Sequence, residues 1–508
     1  MTFAVLGSDE MDRGEKRCDG RISWWRFDRV PALVAVFLLA YAVRLVPVLR
    51  GGGLHFYGRY DDGVYYTGSE ALTFGHVPYR DFVLLHPPGS TIALMPFTVL
   101  GRLTSDPTGM TVARLSFMAL GSLSAVLVAV IAGRWGPVRG LVSGLIYAAS
   151  AAATYSEQAT FLEPLGTFLT LVALLALTVP ASRRSRWLDV AAGVALGLSC
   201  TVKIWYVAIV AAVLIALLLR RELRSAARLA AACVATAVVV LLPFFLLAPH
   251  RMWTMVVSNQ LGRQGTPKPR LGRIPNMLGT KTVLDGASPV ALHLVTLLVA
   301  LLVLVAAVLC LRDRRAWPIV ACFAAGAVVL IVSPSYFRHY GVLLAAPGAL
   351  VLAIGLGGAV TAIRHTPLRT GAVIAAAAVV IWSGVVVAAA PTGKSFPSGR
   401  FIAAAPAGCI AADDPAALIQ MNRLTTNFRR HCDVPVDVTG ASYGSRVSRG
   451  QNLVFRTWLV DHLTDSDAFV VLRLRRDGLS EQERQQIRTY PILASGYGLN
   501  LRRGDGGS

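Results

Sequence analysis

Long apolar runs separated by short polar punctuation dominate the chain from residue 30 to 390. The runs fall near 30–49, 111–133, 139–155, 164–180, 187–202, 204–220, 226–248, 289–311, 316–333, 340–363 and 370–390. Roughly 17–25 apolar residues suffice for a helix to cross a bilayer, so this pattern predicts about eleven transmembrane helices. The runs are continuous rather than alternating, which argues against a β-barrel. A further apolar stretch, 88–104, would reverse the sidedness of every later loop if it crossed. It is therefore read as a juxtamembrane or re-entrant helix on the outer side.

Beyond about residue 390 the pattern changes and charge density rises. Ala468-Phe469-Val470-Val471-Leu472 reads as a strand and 479–489 as a polar helix. Asp414-Pro415 ahead of Ala416-Ala417-Leu418-Ile419 reads as a helix N-cap with proline in the first turn. The expected division is 1–29 as a cytoplasmic segment, 30–390 as the membrane domain and 391–508 as a small extracytoplasmic α/β domain. The fold class is thus an all-α polytopic membrane protein with an α/β tail.

Composition agrees: the 508 residues are 55% hydrophobic and 15% charged. A net charge of +21 could suggest nucleic acid, but its placement does not. Arginines gather in short loops: Arg134 and Arg139, Arg183 to Arg186, Arg220 to Arg224, Arg312 to Arg315, Arg364 and Arg369. Short arginine-rich loops mark the cytoplasmic face, which puts the N-terminus inside and the tail outside the cell membrane. No cleavable signal is read before the first span. The outer segments are then 50–110, 250–288 and the tail. The second is basic, with Arg251, Arg263, Lys268, Arg270, Arg273 and Lys281 against Asp285. Cys409 and Cys432 are the cysteines of the tail. In an oxidising exterior they would form a disulfide closing about 22 residues, worth roughly 3 kcal/mol; two free buried thiols are the alternative.

Candidate chemistry clusters in the outer loops. Asp61 and Asp62 stand side by side in Tyr60-Asp61-Asp62-Gly63-Val64-Tyr65. They read either as a solvated acidic turn or as a general base with a partner that orients it or binds a divalent cation. Like charges this close seldom share one role. Tyr79-Arg80-Asp81 and His86-Pro87-Pro88 follow; the diproline stops the helix and turns the chain. Glu157 and Glu163 sit at the next outer hairpin, Glu163 against a span, placed for function or snorkelling to headgroups. Lys203 lies in a short connection that parity places outside, where lysine is uncommon. It is either an interfacial lysine or a ligand for a lipid phosphate. Arg338-His339-Tyr340 adds a second basic centre suited to phosphate. No Walker loop or Cys-x-x-Cys motif stands out, and no cofactor can be read from the residues.

The order of these motifs resembles the GT-C membrane glycosyltransferases over roughly 30–350, particularly protein O-mannosyltransferases and lipid A aminoarabinose transferases. Asp61-Asp62-Gly63-Val64-Tyr65 is similar to that superfamily's Asp-Glu-x-x-Tyr, with Asp62 in place of Glu. His86-Pro87-Pro88 is similar to the mannosyltransferases' His-Pro-Pro. Thr201-Val202-Lys203 and Arg338-His339-Tyr340 match Thr-x-Lys and an interrupted Arg-Tyr. The resemblance implies a polyprenyl-phosphate-sugar donor, Asp61 and Asp62 as catalytic carboxylates, and Tyr65, Asp81, His86, Glu163, Lys203, Arg338, His339 and Tyr340 around the substrates. It implies an inverting transfer of a sugar, mannose or a pentose, to an envelope glycan, lipid or protein at the outer face. A flippase of lipid-linked intermediates and a non-catalytic scaffold are the competing readings.

Overall fold

The computed structural model describes residues 30–262, 269–363, 365–445, 447–473 and 478–507. The segment 1–29, with Arg263, Lys268 and Arg364, lies outside them. The chain begins with α1 (Val30–Arg50), α2 (Tyr60–Thr73), α3 (Gly89–Leu103), α4 (Asp106–Ala132), α5 (Pro137–Ala148), α6 (Ala151–Glu157) and α7 (Leu162–Leu177). It continues with α8 (Arg186–Val202), α9 (Tyr206–Leu219) and α10 (Leu223–Leu247). After several short helices come α11 (Pro289–Cys310), α12 (Trp317–Val332), α13 (Val342–Ala362) and α14 (Thr366–Ala389).

Among the described residues seven helices are long and apolar enough to span a membrane, and α6 with α7, bent by 115°, would make an eighth. The run expected at 139–155 is not one helix. It breaks at Ala149-Ser150, where the Ser150 side chain accepts from the Ala153 amide and caps α6. That cap meets a backbone donor of a new helix start. The α8 and α9 helices are 17 and 14 residues long, short against a bilayer. The 88–104 segment is a 15-residue helix with Pro96 inside it.

One large apolar core joins Val36, Leu171, Leu196, Ile209, Ile319 and Leu350 across six helices. The outward faces are equally apolar: Val239 is 73% exposed and Val379 67%. Water would not tolerate such continuous faces, so lipid must cover them. The chain is a multi-pass membrane protein.

The tail forms a four-stranded sheet, β1 (Ile410–Ala412), β2 (Ala468–Val470), β3 (Ile492–Gly496) and β4 (Leu499–Arg503), in the order β1-β2-β4-β3. The β1–β2 pair is parallel and the others antiparallel. Tyr497 and Gly498, both at positive φ, close the β3–β4 hairpin, as a tight turn of that hand requires. Helices α15 (Pro415–Gln420), α16 (Leu453–Thr464) and α17 (Glu481–Thr489) accompany the sheet. Asp414 caps α15, and Ser480 with Glu483 forms a capping box on α17. Strand alternation decides what each face touches. Ile410, Ala412, Ala468 and Val470 pack with Val64 and Tyr65 of α2, whereas Ala411 and Phe469 pack with Phe455 and Leu459 of α16. The sheet therefore lies between the end of the bundle that carries Asp61 and an outer layer of helix. Cys409 and Cys432 are joined by a disulfide with Cα atoms 5.7 Å apart.

Candidate active site

The acidic pair opens α2, and helical geometry turns its two side chains in different directions. Asp62 is fully buried. Its Oδ2 accepts from Arg114 Nε at 2.8 Å and Nη2 at 2.5 Å, and its Oδ1 accepts from the Thr160 amide at 2.8 Å and hydroxyl at 2.7 Å. Arg114 also donates to the carbonyls of Leu54 and Phe56. Asp62 thus stitches the first loop to α4 and to the hairpin before α7. With both oxygens committed, it has no room for substrate or a metal ion, which corrects its reading as a catalytic carboxylate. Asp61 is 38% exposed, and its Oδ2 lies 3.7 Å from His339 Nε2. That separation is too long for a hydrogen bond but close enough for one to form on a small shift.

Behind Asp61 stands a buried layer. Glu163, at the start of α7, accepts from Lys203 Nζ at 2.5 Å, and His339 Nε2 lies 3.8 Å from the same Oε1. Lys203 caps the C-terminal end of α8, and its ammonium sits 3.9 Å from the Tyr340 ring centre and 4.1 Å from that of Trp205. His339 stacks on Phe161 at 4.3 Å. Glu163, Lys203 and His339 are 2%, 2% and 6% exposed. Lys203 is therefore turned to Glu163 and two aromatic faces, not to open space. Its reading as an exposed phosphate ligand becomes that of the counter-charge to a buried carboxylate.

Tyr65 is buried on the same helix, edge-on to the His86 ring at 6.0 Å. Burial, then the charges of Asp61 and Glu163, push its phenol well above the usual range. His86 is fixed by its backbone: its carbonyl accepts from Tyr79 OH at 2.7 Å. Arg338 is exposed, with Nη2 2.9 Å from Thr282 Oγ1 and its guanidinium 4.4 Å from the Tyr155 ring. Arg59 covers the same ring at 4.0 Å. Asp81 stands apart. It accepts from the Val77 amide at 2.7 Å and from Arg80, which holds its carboxyl down at about 2. It closes its own turn instead of joining the site. Glu157 also leaves the site: it is buried with Arg44 Nε at 2.6 Å and Tyr147 OH at 2.5 Å. Among the described residues no group of three or more His, Cys, Asp or Glu side chains is placed to hold a metal ion.

Described residues on either side of 263–268 latch the loops around the site. Arg251 donates to the Arg80 carbonyl at 2.6 Å and Gln260 to the Leu85 carbonyl at 2.8 Å. Buried Arg273 donates to the Leu330 and Ser333 carbonyls at 3.0 and 2.6 Å, fixing the loop that leads to Arg338.

Residues not assigned to the site from sequence complete the surroundings. Tyr60 OH donates to Asp437 Oδ1 at 2.9 Å and accepts from the Thr439 amide at 2.7 Å. Asp414 is 2% exposed; burial first, then Asp413 and more weakly Asp61, push its carboxyl up to about 7 against the pull of Arg473. A signal existed for Arg114 alone, a lone arginine inside an apolar run that needs a buried partner. Asp414 gave only a helix-cap signal, and nothing local pairs Tyr60 with Asp437.

Residues 84–334 match the model of glycosyltransferase family 87. No curated protein sequence matches the chain significantly. Among solved structures, ArnT from Cupriavidus metallidurans bound to undecaprenyl phosphate aligns over 94% of this chain and 98% of its own, with TM-score 0.59 and 14% identity. The oligosaccharyltransferase of Archaeoglobus fulgidus tethered with an acceptor peptide aligns over 88% of this chain and 69% of its own, with TM-score 0.56 and 12% identity. AglB from Archaeoglobus fulgidus, in complex with an inhibitory peptide and a dolichol-phosphate, has TM-score 0.50 at 13% identity, over 74% of this chain and 57% of its own. Along nearly its whole length the chain shares the fold of a membrane glycosyltransferase of GT-C type, and its central residues 84–334 are similar to glycosyltransferase family 87.

Proposed function

We propose that the protein transfers a sugar, with inversion, from a polyprenyl-phosphate donor to an acceptor of the cell envelope at the outer face of the membrane. The donor class is supported by the undecaprenyl phosphate and dolichol-phosphate in the structural neighbours. The observation that carries the reading is Asp61, a half-exposed carboxylate backed by His339 and the buried Glu163–Lys203 pair. In the reaction the acceptor hydroxyl attacks the anomeric carbon as the bond to the phosphate oxygen breaks. Asp61 takes the hydroxyl proton, and the polyprenyl phosphate leaves with the electron pair. Its growing charge needs a cation but no general acid. Arg338, exposed near the mouth of the site, suits that role. Lys203 balances Glu163, so that His339 faces Asp61 without a second bare carboxylate behind it. In this reading 30–390 is the catalytic domain and 391–508 an outer domain on the acceptor side.

The test is to incubate purified protein with radiolabelled polyprenyl-phosphate mannose or pentose and envelope extract, then determine the anomeric configuration of the product. A product of inverted configuration is the expected result. Retention, or transfer from a nucleotide sugar alone, would reject the mechanism.

A further inference from the structure

The outer layer of the C-terminal sheet carries a groove that the catalytic site does not use. It is a shallow, open depression of about 640 Å³, in which one face of a ligand would stay in water. Trp458 and His462 of α16 line it with their rings stacked at 5.8 Å and 16°. Three carboxylates surround them: Asp461 and Asp465 at the end of α16, and Asp433. Asp433 directly follows Cys432, so the disulfide ties this side of the groove to the start of β1. The His462 side chain is 5% exposed, and its Nδ1 lies 3.3 Å from Asp433 Oδ2. Its Nε2 is buried with no hydrogen-bond partner among the described residues. A buried ring nitrogen left open carries a desolvation penalty unless a ligand or water meets it.

We infer that this groove binds a neutral glycan chain, holding an extended acceptor on the far side of the sheet from Asp61. The inference rests on the reading of the protein as a glycosyltransferase with an envelope acceptor. Four features select the ligand. An indole face offers an apolar platform with a polar edge, which suits the C–H face of a sugar ring. Ionised carboxylates are acceptors only, and hydroxyls supply the donors they need. Asp433 can only accept, so Nδ1 of His462 carries a proton and Nε2 is a lone pair or, when the ring is charged, a donor. A hydroxyl satisfies either state, whereas an ammonium satisfies only the first. The three carboxylates also make the groove locally acidic on a chain of net charge +21, which repels a lipid phosphate. The position matters too. Residues Ile410 and Ala412 of β1 face α2, while Ala411 faces α16, so the groove and Asp61 lie on opposite faces of one thin sheet. Only a ligand several sugars long would meet both.

The experiment uses the full chain in lipid nanodiscs, with linear mannohexaose, linear arabinohexaose and hexalysine as separate probes followed by calorimetry. At least one saccharide should bind saturably, and Trp458→Ala and His462→Ala should weaken it tenfold or more. Thr457 lines the groove and is exposed, so Thr457→Arg blocks it without touching the core and serves if the ring variants misfold. Asp61→Asn should bind the saccharide like the wild type. Binding unchanged in all groove variants, or no saccharide binding at all, overturns the inference. Hexalysine binding that the same variants abolish, with no saccharide effect, assigns the groove to a basic peptide instead. Loss of the inverting activity would not touch these results, because the readout is binding to a face remote from Asp61.

Discussion

Asp61 and Asp62 adjoin in sequence, yet one faces the site and the other is sealed against Arg114. Their substitutions should separate cleanly. Asp61→Asn keeps shape but cannot take a proton, so transfer should fall by about 10²–10⁴-fold while thermal stability holds. Asp62→Asn leaves Arg114 without its buried counter-charge and should cost about 3–5 kcal/mol, read as a lower melting temperature in detergent. Full activity in Asp61→Asn protein of normal yield would remove it as the base. The Glu163–Lys203 pair follows the same logic. Lys203→Met strands Glu163 and should destabilise by about 3–5 kcal/mol. Adding Glu163→Gln should recover much of that stability, and a double variant as unstable as the single one would mean the two charges are not coupled. Sequence order led us to expect Asp61, Asp62, Glu163 and Lys203 at outer connections. It could not tell which carboxylate was exposed, because that depends on Arg114 arriving from α4.

At the scale of elements, the N-terminal turns of α2 and α15 touch. A methyl group at Gly63 would lie 2.8 Å from the Ala416 backbone nitrogen, too close to be borne without movement. Gly63→Ala should therefore cost about 1–3 kcal/mol and shift α15. Unchanged melting and unchanged transfer would show that the junction yields freely. Asp414, the cap of α15, gives a pH test. Its carboxyl is raised from 3.8 to about 7, so the folded protein holds this proton more tightly than the unfolded chain. Its contribution is fully present below about pH 4, declines as pH rises, and is lost above about pH 7. Asparagine caps nearly as well and cannot ionise. Asp414→Asn should flatten this decline between pH 4 and 7 and gain relative stability at pH 8, measured as melting temperature against pH. Parallel curves for the two proteins would deny the shift. The cap was legible as Asp-Pro before an apolar run. The proton it keeps was not, since burial in the folded protein, with Asp413 and more weakly Asp61, raises the carboxyl.

For the whole molecule, the tail and Asp61 share one end of the bundle. The Thr425 amide donates to Asp106 Oδ2 at 3.1 Å, and Arg102 meets Glu70 at 3.1 Å beside it. On the reading that the arginine-rich loops are cytoplasmic, this end is expected outside the cell. In spheroplasts treated with a reductant, an impermeant thiol reagent should label Cys409 or Cys432 before lysis. Labelling only after lysis would place the tail, and with it Asp61, on the cytoplasmic side.

The sequence by itself determined the class of the molecule. Runs of apolar residues long enough to cross lipid, and a tail with different periodicity, follow from composition and spacing alone. The ordered motifs at 61–65, 86–88, 203 and 338–340 pointed to the superfamily on the same one-dimensional information. Tertiary structure decided which groups are free to react. Glu157 and Asp62 were withdrawn into pairs with Arg44 and Arg114, and Lys203 into a pair with Glu163. Asp414 and Tyr60 were brought to the site from opposite ends of the chain. The reason is that a charge inside a bundle must be neutralised wherever it lands. Its partner is chosen by helix packing, from residues whose separation in sequence carries no signal.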